Sequence, residues 1–375
     1  MMENLEYQTR AARWLSTRRR GIVQIPAGGG KSRVAAMALN MVITAKPRTE
    51  KVKIGWLAPT IETREQGLAA MREFPSVMAQ DIRVECVSPI ASMDDRDILI
   101  VDECKHSPAE VWQGIILKCR NRWGLDATPF GEDEERNQTL MEMFGQVFTV
   151  SRDEVKARVA SARVIMMDAT DDGLRERIDE AVVNCFPKRL RAMRWLAANK
   201  GLKVPSDQEI HGQLLFQKCV EIGILGNSKR NQQAIHLAVD CVNAGDSVLM
   251  LVNQIEHAKS LAEQIPGSVA TYAGMGAKKR RETMAAFRSG DVKCLVVTSG
   301  LASEGLDVPR CNVLILVSGG RSKSKVEQQT GRALRVFAGK SHAVIADWKD
   351  EFHPLTAKHS RVRQKLYESL GYSFG

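Results

Sequence analysis

Aromatic residues make up only 5% of this 375-residue chain, too few for a binding surface built from many base-stacking platforms. The eight cysteines are scattered, with no C-x-x-C pair among them. That argues against a zinc ribbon and fits the reduced thiols of a cytoplasm. No apolar run approaches the ~18 residues of a membrane span, so no membrane association is expected. The opening MMENLEYQTR lacks an apolar core, so secretion is not expected either. There is no low-complexity segment and no repeat beyond a doubled architecture.

Positive charge is in excess. Lys and Arg number 54 against 44 Asp and Glu, a formal net charge of +10. Such a balance favours a polyanionic partner, most often nucleic acid, with a merely soluble basic protein as the plain alternative. The length exceeds the ~250–300 residues at which single cores stop growing, so two domains are expected.

Short β-branched runs bounded by turn residues lie at 21–26, 53–59, 82–87, 97–102 and 122–127, and again at 247–252, 268–272, 292–298, 312–318 and 342–347. Runs of this kind read as buried parallel strands. With helical patterns between them, they predict an α/β protein of two successive units, each a mostly parallel sheet flanked by helices. Between the two series, DDGLRERIDEAVV and PKRLRAMRWLAANKG read as helices. Pro187 suits a first helical position and Gly201 a stop. KRLRAMRW either touches a nucleic-acid backbone or is a solvated helix face with Leu190, Met193 and Trp195 packed inward.

Two motifs carry chemistry. In QIPAGGGKS (24–32) a strand ends, glycines follow and a helical pattern begins. Gly28, Gly29 and Gly30 let backbone N–H groups turn inward, and the helix N-terminus adds positive partial charge. Lys31 would reach the β- and γ-phosphates and Ser32 would ligate Mg²⁺. Ile25 stands where the standard pattern has its first glycine, and a plain structural turn is the competing reading. In ILIVDECK (98–105) a hydrophobic strand delivers Asp102 and Glu103 at its C-terminal end, the edge at which α/β sheets bind ligands. An Asp there can hold Mg²⁺ through water, and the adjacent Glu can orient or deprotonate the attacking water. A plain strand-to-loop transition also ends in acids.

The order of motifs resembles superfamily 2 helicases, nucleic-acid-dependent ATPases with two RecA-like lobes. PAGGGKS is similar to their motif I, whose first glycine is commonly absent, LAPT (57–60) to motif Ia, VDECK (101–105) to motif II and LDATP (125–129) to motif III. TSGLASEGLDVP (298–309) is similar to motif V, QQTGRALR (328–335) to motif VI, and EYQTRAARWL (6–15) to the N-terminal Gln motif that reads adenine. The nearest look is to DNA-oriented members: phage branch-migration helicases, DNA-repair helicases and the helicase part of type III restriction enzymes. Two positions depart from the pattern. Lys105 stands where many relatives have His, with His106 one place later, and Asp126 stands where motif III usually begins with Ser or Thr. Both positions couple hydrolysis to strand movement in the family, so ATP hydrolysis is implied more firmly than strand separation.

The resemblance implies tandem RecA-like P-loop NTPase lobes: residues 1–165, a helical linker over 166–230, and a second lobe over 231–375 ending in a helix. It implies ATP and Mg²⁺ as cofactors, a nucleic-acid partner with DNA favoured over RNA, and a monomer in the cytoplasm of a bacterial or phage-infected cell. Arg332 and Arg335, three residues apart, would face the γ-phosphate with Gln328 beside them. The alternative for that helix is a basic surface. Gly305 and Asp307 would lie near the ribose or attacking water, Gly305 otherwise being a turn glycine. Gln8 either pairs with adenine or is a solvent-exposed helix glutamine. Thr60, Ser88 and Thr298 would bind nucleic-acid phosphates, or cap helices. Three activities fit: a DNA helicase or translocase, an RNA helicase, and an ATP-switched annealing or remodelling protein.

Overall fold

A computed structural model describes residues 5–45, 51–88, 90–131, 133–155, 161–200, 203, 205–303, 308, 310–320, 326, 330 and 342–375. They form two compact units, one within residues 1–160 and one within 161–302 and 308–375.

The first unit is built on six strands: β1 (Arg20–Gln24), β2 (Lys53–Ala58), β3 (Asp81–Cys86), β4 (Ile98–Asp102), β5 (Arg122–Asp126) and β6 (Val147–Thr149). Their order across the sheet is β3-β2-β4-β5-β1-β6, and each pairing is parallel. Alternate residues feed opposite faces, and both faces are apolar, as a sheet covered on two sides requires. Val23, Ile54, Trp56, Ile100 and Leu125 enter one core with the helices Glu6–Ser16 and Lys31–Thr44. Ile22, Leu57, Leu99 and Val101 enter the other, with Trp112, Ile116 and Phe144.

The second unit carries β7 (Ser161–Met167), β8 (Val248–Val252), β9 (Ser268–Thr271), β10 (Cys294–Thr298), β11 (Val313–Leu316), β12 (His342–Trp348) and β13 (Ser373–Phe374). The order is β13-β7-β12-β11-β8-β10-β9, again with parallel pairings. β7 pairs with β12 along its whole length, so the strand divided by the expected boundary at 165 belongs entirely to this unit. β6, β7 and β13 are additional to the ten expected strands.

The expected helix start at Pro187 does not occur. One helix runs Leu174–Lys200 through Pro187, and Gly201 lies outside the described residues. Proline removes the donor for the carbonyl four residues back. That residue, Val183, is exposed, where water can replace the lost bond. Trp195 is not packed inward: it is 66% exposed, while Leu190 and Met193 are half-buried.

The C-terminal helix Pro354–Ser369 is held by buried charge. Arg363 bonds both carboxylate oxygens of Asp347 (2.7 and 3.1 Å) and Asp350 Oδ2 (2.8 Å). Tyr367 Oη donates to Asp347 (2.8 Å), and Arg230 pairs with Asp350 from the helix Ser228–Asn243. His257 is buried nearby, with Nε2 at 3.0 Å from Asn231 Oδ1. Burial, and then Arg230, push its pKa down from 6.5 to about 4. The unfolded chain therefore binds a proton that the folded chain refuses between these values. Stability is complete above pH 6.5 and falls as pH drops toward 4, by about 3 kcal/mol from this group. Urea unfolding of the wild type and His257→Gln at neutral pH and near pH 4 is expected to show that much less loss in the variant.

Candidate nucleotide site

The strand order decides what meets at the C-terminal edge of the first sheet. β5 lies between β4, which ends in Asp102, and β1, which leads into the glycine turn. The register sets Asp102 opposite Leu125 and Gln24 opposite Asp126. Three segments far apart in sequence thus share one edge, the usual ligand edge of an open α/β sheet.

Beyond β1 the chain turns on Gly28 (φ 85°) and Gly30 (φ 82°), both left-handed, a conformation that costs glycine nothing. Gly30 caps the helix Lys31–Thr44, so Lys31 and Ser32 open its first turn at the positive end of the dipole. Ile25 is buried in the core. A Cβ on Gly29 would fall 2.3 Å from Ile25 Cγ2. The residue in place of the usual first glycine is therefore a core anchor, and Gly29 leaves room for it.

Gln8 is completely buried, which overturns the exposed-glutamine reading. Its Nε2 donates to the Gly29 carbonyl (3.1 Å), as does Tyr7 Oη (2.8 Å). Its Oε1 accepts from Arg33 Nη1 (3.0 Å), and Arg33 Nε reaches Glu73 at 2.7 Å. The N-terminal helix is thereby tied to the turn. Sequence reasoning missed Tyr7 and Glu73. Tyr7 was legible only as the neighbour of Gln8, and no spacing connects Glu73 to the loop.

Asp102 is buried, with Oδ1 accepting from the Glu103 N–H (3.0 Å). Burial pushes its carboxyl up to about 7; Glu103 and Asp126 add to the rise and Lys31 opposes it. Glu103 takes the left-handed conformation (φ 52°, ψ 52°), which costs a side-chain-bearing residue about 1 kcal/mol or more. Its carboxylate meets Lys105 Nζ at 2.7 Å. Asp126 is completely buried and accepts two backbone N–H bonds, from Lys105 and Thr128, each 2.9 Å. Its carboxyl is raised by burial and then by Glu103, against Lys105 and Lys31. The two departures from the family pattern are thus in direct contact.

Asp102, a buried carboxylate with one backbone hydrogen bond, is an oxygen donor of the kind a divalent cation takes. Ser32 and Asp102 are the residues that would hold it. No group of three His, Cys, Asp or Glu side chains that could hold a metal occurs among the described residues. Phosphate and water would therefore complete its shell.

Thr60 caps the helix Ile61–Arg72 in a reciprocal box with Thr63. Ser88 follows β3 in a turn, its carbonyl accepting from Ala91, and no helix starts there. Thr298 is buried at the end of β10. Gly305, Asp307, Gln328, Arg332 and Arg335 lie outside the described residues.

Residues 229–337 match the family described as helicase conserved C-terminal domain. A putative helicase 22 from the Sulfolobus islandicus filamentous virus is 25% identical over 361 residues. The match takes 87% of this chain and 60% of that protein. The DNA 3'-5' translocase XPB2 of Sulfurisphaera tokodaii is 22% identical, over 89% of this chain and 79% of its own. Together these matches support a superfamily 2 helicase. Solved structures agree on the fold. S. cerevisiae Dbp5 bound to RNA and ADP BeF3 aligns over all of it and 90% of Dbp5, at TM-score 0.63 and 13% identity. The Pyrococcus furiosus Hef helicase domain aligns over 97% of this chain and 98% of its own, at TM-score 0.56 and 13% identity. Both units are RecA-like. Among the described residues, no helix is long and apolar enough to cross a membrane.

If the Gly29–Ile25 contact shapes the turn, Gly29→Ala should destabilise by about 1–3 kcal/mol and Ile25→Ala by about 2–5 kcal/mol. The double variant should lose at least ~0.5 kcal/mol less than the sum. Strict additivity in denaturant unfolding would remove the contact as the cause.

Proposed function

We propose that the chain is an ATP-driven superfamily 2 translocase or helicase acting on DNA. The observation that carries the reading is the cluster of buried Asp102 and Asp126 with half-buried Glu103, under the influence of Lys31 at the glycine turn. The relative whose name specifies DNA translocation supports the choice of DNA.

Phosphoryl transfer is mostly positioning and charge neutralisation. Gly28, Gly29 and Gly30 cradle the phosphates with backbone N–H groups, and Lys31 reaches the β- and γ-phosphates. Ser32 and Asp102 would hold Mg²⁺, which would supply neutralisation of phosphate charge when bound. Glu103 orients and deprotonates the attacking water. Gln8, whose amide is engaged by Gly29 and Arg33, positions the loop, and pairing with adenine would require it to exchange one of those bonds. Arg332 and Arg335 of the second unit, with Gln328, complete the charge around the γ-phosphate, a contribution of about 10³–10⁵ in rate. Gly305 and Asp307 serve the ribose or the water. Thr298, Ser88 and the helix start at Thr60 meet nucleic-acid phosphates, which fix register without reading sequence. Nucleotide-dependent closure of two gripping units then gives stepwise movement.

A second reading, an ATP-switched annealing or remodelling protein, is favoured by one observation. Asp126 bonds the backbone of Lys105 where the family uses a hydroxyl for coupling. A strand-displacement assay set against an annealing assay separates the two.

Lys31→Ala should abolish ATP turnover, and Glu103→Gln should retain ATP binding while losing hydrolysis. Ordinary turnover in Lys31→Ala would remove the phosphate-loop assignment. Turnover stimulated more by single-stranded or forked DNA than by RNA supports the DNA reading; the reverse order refutes it.

A further inference from the structure

Residues 181–206 hold six cations (Lys188, Arg189, Arg191, Arg194, Lys200, Lys203) and no carboxylate. Most of this stretch forms the outer half of the helix Leu174–Lys200, which pairs with the helix Asp207–Val220. The base of the pair is packed: Leu174 and Ile178 join Cys219, Ile224 and Phe352 in a core. Beyond Val182, only Ala197 of the first helix is buried. The outer half is held to its partner by an edge contact between Phe186 and His211 (5.6 Å) and an ion pair between Arg194 and Asp207 (2.8 Å).

Helical spacing sorts what remains. Leu190, Met193 and Ala197 share the face toward the partner helix. Asn184, Lys188, Arg191, Trp195 and Asn199, at i, i+4, i+7, i+11 and i+15, fall on the opposite line, and all five are exposed. Trp195 is the only exposed tryptophan of the chain's six. A single exposed indole is ordinary. Here, however, it sits in line with two cations, in a stretch where like charges three and four apart oppose the helix and where Asp207, from the partner helix, pairs with Arg194 on the other side of the line. A polyanion with an exposed aromatic face answers both features: phosphates take the cations and a base covers the indole.

We infer that this face of the helical pair is a second DNA-contact surface that binds an unpaired strand. Lys188 and Arg191 meet phosphates and Trp195 stacks on a base. The line from Asn184 to Asn199 is about 22 Å long, the axial length of about six stacked nucleotides. This surface rests on the DNA reading above and adds a binding element that no helicase motif in the chain supplies.

The test uses the full chain, a fluorescently labelled single-stranded oligothymidylate and intrinsic tryptophan fluorescence. Trp195→Ala should lose most of the DNA-induced quenching and weaken binding roughly 5- to 150-fold, while Trp195→Phe should recover much of the affinity. Replacing Lys188 and Arg191 together by Ala should reduce the slope of log K against log salt by about 1.4. Nucleotide turnover without DNA and the thermal melt should stay at wild-type values in each. Wild-type affinity and salt slope in these variants would overturn the inference while leaving the DNA reading intact. A wild-type chain that binds no oligonucleotide, with or without ATP, overturns both. Equal quenching by polyglutamate, or tighter binding of oligouridylate, also overturns it.

Discussion

The two hydrogen bonds accepted by Asp126 hold the nucleotide-facing edge of the first unit together. Its side chain takes the N–H of Lys105 on one side and of Thr128 on the other, while its own carbonyl accepts from Ile25 at the exit of β1. One residue therefore fixes the turn after β4, the turn after β5 and the start of the glycine turn. A serine or threonine has one side-chain oxygen and an amide one oxygen and one donating nitrogen; only a carboxylate offers two acceptor oxygens on one carbon. The cost is charge. Burial first, and then the neighbouring Glu103, raise the proton affinity of Asp102 and Asp126. Asp102 accordingly stands near 7. The geometry of the edge and its demand for positive charge have the same origin.

Much of this was legible in the sequence because parallel sheets write themselves as apolar runs. All ten expected strands form, and the motif residues from Gly28 to Ser32 and Asp102–Glu103 converge. What was not legible depends on tertiary partners. Gln8 looks like any polar helix residue until the glycine turn is folded against it. Thr60 could serve a ligand or a helix, and Thr63 three residues later forms the box that commits it to the helix. Pro187 signals a helix start only where the chain before it is not already helical; in solvent, a proline inside a helix loses one bond that water replaces. β7 and β13 are short of strong pattern because they lie at the margin of their sheet, where β12 places β7 and β7 in turn places β13.

The second unit uses buried charge differently. Arg363 and Arg230 are matched by Asp347 and Asp350. Paired buried charges contribute little net stability, yet losing one partner strands the other at several kcal/mol. Such a network specifies an arrangement. Arg363 Nη1 also donates to the Gly320 carbonyl (2.6 Å), the second of two glycines at positive φ after β11. The C-terminal helix thus fixes the point from which the chain departs toward the segment containing Gln328, Arg332 and Arg335.

These two uses of charge bear on why the proposed active site must be divided. Around Lys31 the first unit is rich in acid. Arg33, the arginine in the first turn of the phosphate-loop helix, is engaged by Gln8 and Glu73. A phosphoryl group in transfer spreads negative charge over three oxygens and needs cations placed around it. Lys31 and Lys105 already face three carboxylates, and Lys105 is paired with the proposed water-activating Glu103. In the proposed reading, a nucleotide arriving there would add to an existing excess of negative charge. The balance must come from a bound divalent ion and from arginines outside the first unit. On the proposed reading, a site deficient in its own cations turns over only when further cations are supplied, the role proposed for Arg332 and Arg335.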